Sequence, residues 1–188
     1  MKSHVQIALA LTLISLADAL TATEAVAQQD RTIRLGAFQV TAPEKWVRKQ
    51  PQSRITSDEF AAPAVEGDMA DGRFTVTAAG GSVDDNINRW IGQFKQPDGS
   101  ATKDQAKISK EQIAGQTVHL VDISGTYDDR PPFAPGGGVQ REKYRMLAAV
   151  METKEGNFFL KFYGPRLTIT ENEKAFQEMV HGLKPASR

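Results

Sequence analysis

The chain has no cysteine, so disulfides, a lipoprotein anchor and any C-x-x-C metal site are excluded together. It has only three histidines, His4, His119 and His181. None falls in an H-x-x-x-H pair, and no calcium-loop spacing occurs, so no metal site is expected. It has no net charge, with 23 basic and 23 acidic residues, which argues against a nucleic-acid binder or a polybasic membrane anchor. Its longest leading apolar run, Ile7–Leu16, is about ten residues against the roughly 20 a spanning helix requires. Internal repeats, charge blocks and low-complexity tracts are also missing.

What is present first is a leader pattern. Lys2 begins a basic n-region, Ile7–Leu16 is the apolar core, and Ala25-Val26-Ala27 is a small-residue cleavage site. That order predicts a secretory signal peptide over residues 1–27, cut after Ala27, and hence a periplasmic or extracellular protein. A single domain is expected over residues 28–188. About 160 residues bury roughly 70% of their unfolded surface, enough for a core without a staple.

Periodicity places the elements. Residues 31–46 are strand-like and end at Trp46. In Arg73–Ala78, Phe74, Val76 and Ala78 alternate with polar residues, as in a half-buried strand. Val83, Ile87, Trp90, Ile91 and Phe94 recur at helical spacing behind Ser82 and Asp85, which resemble a capping box. A hairpin is expected around Gly115 and a second across Lys154–Gly156. In the strand before that second turn, Tyr144, Met146, Ala148 and Val150 share one face and Leu147, Ala149 and Met151 the other. Both faces are apolar, so this strand should be covered on both sides. A last helix is expected to open at Thr170, with Glu173 completing a T-x-x-E box and Phe176, Met179, Val180 and Leu183 forming its buried stripe. The fold class is therefore α+β.

Chemistry-bearing motifs are sparse. Gly164-Pro165 before a helix suggests a phosphate-binding turn, but it has one glycine, no following Lys-Ser/Thr, and a proline that removes a donor. Gly80 and Ser82 partly match the nucleophile elbow G-x-S-x-G, yet Asp84 stands where the last glycine belongs, and Ser82 is explained as a helix cap. Trp46 and Trp90 are expected in the core, and His181 suits the negative end of a helix. No catalytic residue and no cofactor follow from these patterns. The long Pro/Gly segment over residues 126–142 is the exception, because structureless loops of this length are often functional. Its Asp128, Asp129, Arg130 and Phe133 are the candidate partner-binding residues. Asp128 and Asp129 read as a solvated loop charge pair. A second long, mixed-charge loop is expected over residues 50–72, packed along a sheet edge.

A resemblance emerges from three segments. "FYGP" followed by "ENEKAFQEMVHGLK", the early "FQVTAPEKW", and the central "VHLVDISGTY" resemble the corresponding parts of PsbP/Mog-like proteins. The similarity runs from Phe38 to Lys184. It implies an antiparallel sheet with helices on both faces, an α/β/α sandwich, and a role as an accessory, binding or assembly factor. No site residue of that family matches here.

The expected function is a secreted, non-enzymatic accessory or binding protein of the cell envelope, whose partner is an envelope protein or a small ligand. The alternatives are a hydrolase or other enzyme assembled only in the fold, and a small structural protein of the cell surface. A pocket with perturbed titratable groups favours the enzyme, and an exposed aromatic patch beside Phe133 favours the binder.

Overall fold

The computed structural model describes residues 31–130 and 138–187. The leader over residues 1–27 and Phe133 lie outside them. The chain is mostly antiparallel β-sheet with a few helices. Strands β1 (Thr32–Leu35) and β2 (Phe38–Thr41) form a hairpin, to which β11 (Lys184–Pro185) adds. Gly36, at φ 63°, makes that tight turn possible, so the early strand-like stretch is two short strands.

The larger sheet runs β3 (Val47–Lys49), β4 (Thr56–Ala62), β5 (Gly72–Ala79), β10 (Gly156–Pro165), β9 (Val139–Thr153), β8 (Gln116–Asp129) and β6 (Phe94–Lys95). Strand β7 (Lys107–Ile113) also pairs with β8. Every pairing is antiparallel. The β7–β8 turn is Ala114-Gly115, both with positive φ (49° and 75°), the geometry of a type I′ turn. The β9–β10 turn is the two residues Lys154-Glu155. Both expected hairpins form.

The alternation in β9 separates two apolar clusters. Met146, Ala148 and Val150 join Val121, Ile123, Tyr127 and Phe159, together with Ile87, Trp90 and Ile91 of α1 (Val83–Ile91). Leu147, Ala149 and Met151 join Trp46, Phe60, Phe74 and Phe162, together with Phe176, Met179 and Val180 of α4 (Glu173–His181). Trp90 meets Phe159 edge-on at 6.0 Å, and Trp46 lies 4.5 Å from Phe162. Each such side chain contributes about 1.5–3 kcal/mol by leaving water. Both tryptophans are core residues, as expected.

Helix α1 begins as its sequence predicts, with the Ser82 hydroxyl accepting the Asp85 N–H at 3.0 Å. The last helical region differs from expectation. It opens at Arg166, directly after Pro165, as α3 (Arg166–Glu171), breaks at Asn172, and continues as α4. Asp68, from the β4–β5 connection, accepts both the N–H and the hydroxyl of Thr168 at 2.6 and 2.8 Å. This distant carboxylate satisfies first-turn donors of α3, so the helix starts four residues earlier than a local box would allow. Thr170 and Glu173 instead receive the guanidinium of Arg145, at 3.1 and 2.8 Å.

Two expected loops are also corrected. Within residues 50–72, Thr56–Ala62 form strand β4 between β3 and β5, and its Asp58 and Glu59 are matched by Arg48 and Arg73. Strands β8 and β9 run deep into the 126–142 segment, leaving a connection only over residues 130–138. Asp128 and Asp129 therefore lie in β8, opposite Gln140 and Val139. A short helix, α2 (Thr102–Gln105), precedes β7.

Candidate functional site

Period-two alternation determines what faces the space beside α1. In β10 it places Phe159, Lys161 and Tyr163 on one face, opposite Thr77, Thr75 and Arg73 of β5. Glu59 of β4 lies across from Thr75. On the other side β9 brings Tyr144, and β8 brings Tyr127 and Asp129. Asn86, Arg89 and Trp90 of α1, with Gln93 just beyond it, line the same space. These groups line a cavity of about 790 Å³ that is open to solvent, within the range of small-molecule sites.

Lys161 is its central feature. Its Nζ donates to Gln93 Oε1 at 3.0 Å and to the Tyr127 hydroxyl oxygen at 3.2 Å. The ammonium sits 4.4 Å from the Tyr163 ring centroid and 5.1 Å from that of Tyr127, within cation–π range. The side chain is half-buried, with its remaining surface on the cavity. No carboxylate touches it among the described residues. Burial, reinforced by repulsion from Arg89 and Arg73 and opposed by Asp129, pulls its pKa from 10.5 to about 7.

The neighbours differ in how their charge is held. Arg73 meets the buried Glu59 through two bonds, Nε to Oε1 at 2.9 Å and Nη2 to Oε2 at 3.0 Å, and also donates to the Tyr163 hydroxyl at 2.9 Å. Burial opposes its charge, but the Glu59 and Tyr163 contacts outweigh that, so Arg73 stays cationic. Burial raises Tyr127, Tyr163 and Tyr144, so all three keep their phenolic protons. Arg89 is exposed and, among the described residues, donates only to the neutral Asn86. The lining cations are Arg73, Arg89, Arg130 and Lys161, against the acids Asp71 and Asp129. The cavity thus combines positive charge, protonated hydroxyls and aromatic walls.

Asp129 and Arg130, two of the four candidates from the sequence, line this cavity. Asp129 is paired with Arg141 at 3.3 Å, and Asp128 with Arg130 at 3.0 Å and Gln140 at 2.8 Å. They are strand-end residues held in ion pairs rather than a solvated loop pair. Lys161, Arg73, Tyr127 and Tyr163 were not singled out from sequence. Their one local signal is the lysine set between Phe159 and Tyr163 at two-residue spacing.

His119 and His181 lie apart from this site. His119 is buried, its Nε2 against Glu152 at 2.5 Å. His181 sits between Glu111 and the Gln177 carbonyl, both at 2.8 Å. A second cavity, of about 620 Å³, is lined by Arg31, Glu44, Lys45, Glu171 and Glu178 among others, with charges of both signs.

No family model matches the chain, and no curated protein matches it. Among solved structures it is similar to a Pseudomonas aeruginosa protein of unknown function, at 15% identity and TM-score 0.46, over 84% of this chain and 97% of that one. It is also similar to the cyanobacterial PsbP of Synechocystis sp. PCC 6803, at 8% identity and TM-score 0.48, over 80% of this chain and 87% of that one. A Bacteroides thetaiotaomicron protein aligns at 16% identity and TM-score 0.44, over 81% of this chain and 46% of that one.

Proposed function

We propose that the protein is a secreted, non-enzymatic binding protein of the cell envelope whose partner is a small organic anion with an apolar or aromatic body. The observation that carries this reading is the cavity in which Lys161 and Arg89 lie without a carboxylate partner among the described residues, while Tyr127, Tyr144, Phe159 and Tyr163 supply aromatic walls. Cationic groups without counter-charges favour an anion, and apolar walls with few polar groups are the usual build of a ligand site. This chemistry favours the small-ligand branch of the expected role over an envelope-protein partner. Export rests on the leader pattern of residues 1–27. In the same reading the fold is an α/β/α sandwich of the PsbP/Mog-like kind, supported by the two apolar clusters on β9 and by "FYGP" ending the strand before the last helices.

Titration calorimetry with a panel of aromatic and aliphatic carboxylates tests the reading. Binding is expected to weaken about tenfold in Arg89→Ala, an exposed change that leaves the core untouched, and to fall with added salt. Binding of neutral amides of the same acids as tightly as the acids themselves would refute it.

A further inference from the structure

An anion site needs a cation, yet the group at its centre is held in surroundings that work against charge. Lys161 Nζ has an amide oxygen, a phenol and an aromatic face around it, with the guanidinium groups of Arg73, Arg89 and Arg130 lining the same cavity. An arginine in its place would serve an electrostatic role better, since it cannot lose its proton. What a lysine offers in such a setting is a free amine, and a free amine is a nucleophile towards carbonyl carbon.

We infer that Lys161 captures its ligand covalently, as a reversible imine with an anionic aldehyde or ketone. This rests on the anion-binding reading above, which it sharpens to a carbonyl compound carrying a carboxylate or phosphate. The Nζ lone pair attacks the carbonyl carbon, and the carbonyl π pair moves to oxygen. The Tyr127 hydroxyl, 3.2 Å from Nζ, donates its proton to that oxygen, and the attacking nitrogen returns a proton to the Tyr127 phenolate. The resulting carbinolamine expels its hydroxyl as water, using a proton relayed by the same tyrosine, as the nitrogen lone pair closes the C=N bond. The protonated nitrogen then gives its remaining proton back to Tyr127. One amine and one carbonyl become one imine and one water, with no oxidant or reductant consumed. Two further features suit these steps. Burial keeps Tyr127 protonated, and the lowered pKa of Lys161 leaves about half its amine free at neutral pH. Arg89 is placed to hold the anionic end of the ligand, while Arg73, committed to Glu59 and Tyr163, fixes the Tyr163 ring against the amine.

The test uses glyoxylate, the smallest anionic aldehyde, with cyanoborohydride to reduce any imine to a stable secondary amine, and glycolate as its carbonyl-free mimic. Peptide mapping by mass spectrometry locates the adduct. The expected result is labelling at Lys161 at least tenfold faster than at any other lysine. Glycolate should suppress it, and its rate should rise with pH through an inflection near 7. Tyr127→Phe should slow labelling about tenfold or more while glycolate still binds. Lys161→Met, checked for folding by circular dichroism, should abolish the selective adduct. If calorimetry detects glycolate but Lys161 is labelled no faster than surface lysines, the imine is refuted and anion binding stands. If no selective label forms and neither these compounds nor the panel of aromatic and aliphatic carboxylates binds, both readings fall. The wild-type pH profile decides the matter even if the variants fail to fold, because an inflection near 10 would mark an ordinary solvated lysine.

Discussion

Replacing Lys161 with methionine should stabilise the protein near neutral pH, and the gain should vanish in alkali. In the unfolded chain the amine titrates at 10.5, and in the folded chain at about 7. Between these values the unfolded state holds a proton that the folded state does not. Stability therefore rises with pH across that window, by about 1.4 kcal/mol per pH unit. Below pH 7 both states are protonated and the full penalty applies, about 5 kcal/mol from the separation of the two values. Methionine fills similar volume without charge, but leaves the Gln93 amide oxygen without its lysine donor, at a cost of about 1–2 kcal/mol. At pH 7, where half the folded amine has already lost its proton, the expected net gain is about 2.5–3.5 kcal/mol, shrinking to nothing or a small loss near pH 10. Urea unfolding of both proteins, followed by circular dichroism at half-unit steps from pH 6 to 9.5, measures the difference. Titrations common to the two chains cancel in it. A difference that stays flat across this range would show that Lys161 is solvated in the folded state, and the account of the cavity would be wrong.

Three further outcomes follow from named contacts. Glu59→Ala strands the Arg73 guanidinium and should lower stability by about 2–4 kcal/mol, whereas Glu59→Met with Arg73→Met should recover most of it in urea unfolding; equal losses in the two would refute the pairing argument. Ala114 occupies a positive-φ position of a type I′ turn, so Ala114→Asn should stabilise the hairpin by about 0.5 kcal/mol, read as a rise in melting temperature. The Glu111 hydrogen bond, then the Gln177 carbonyl, raise the pKa of His181, so its small stabilisation is full below the unfolded value and is lost as pH rises through the folded one. NMR titration of the imidazole should show Glu111→Gln moving that pKa down, and an unmoved value would remove the contact from solution.

The elements legible in the sequence were those whose environment is set by one periodicity. Residues 146–151 are apolar at every position, and only a strand covered on both sides accommodates Met146 and Leu147 pointing oppositely into two clusters. Ser82 caps its helix because its acceptor and donor are three residues apart. The misread elements depend on partners far along the chain. Strand β4 looked like a charged loop because the groups that hide Asp58 and Glu59 are Arg48 and Arg73. Helix α3 went unseen because its cap is Asp68, a hundred residues earlier. The pair Thr170 and Glu173 has the form of a local box, but Arg145 claims both side chains from β9. In each case a local rule lost to an ion pair or hydrogen bond from another element, with partners from 10 and 14 residues away (Arg48, Arg73) to 100 residues away (Asp68).

The site follows the same logic, with one clue within reach. Strand residues 157–163 alternate so that Phe159, Lys161 and Tyr163 share a face, and the adjoining strand β9 reads as covered on both sides. A lysine on a covered face between two aromatics must either find a carboxylate or lose its charge. That alternative can be posed from the sequence, but its outcome depends on what stands opposite. The groups there are Gln93 and Tyr127, separated from Lys161 by 68 and 34 residues, and neither is an acid. Arg73, a further candidate neighbour, adds positive charge, and its own counter-ion Glu59 is bound to its guanidinium rather than to Lys161. A fold that shields an arginine with a buried glutamate had the means to pair the lysine too, and it places a phenol and an amide there instead. The arrangement disfavours the charged form of Lys161 while keeping it open to the cavity, which is costly for stability and useful for chemistry.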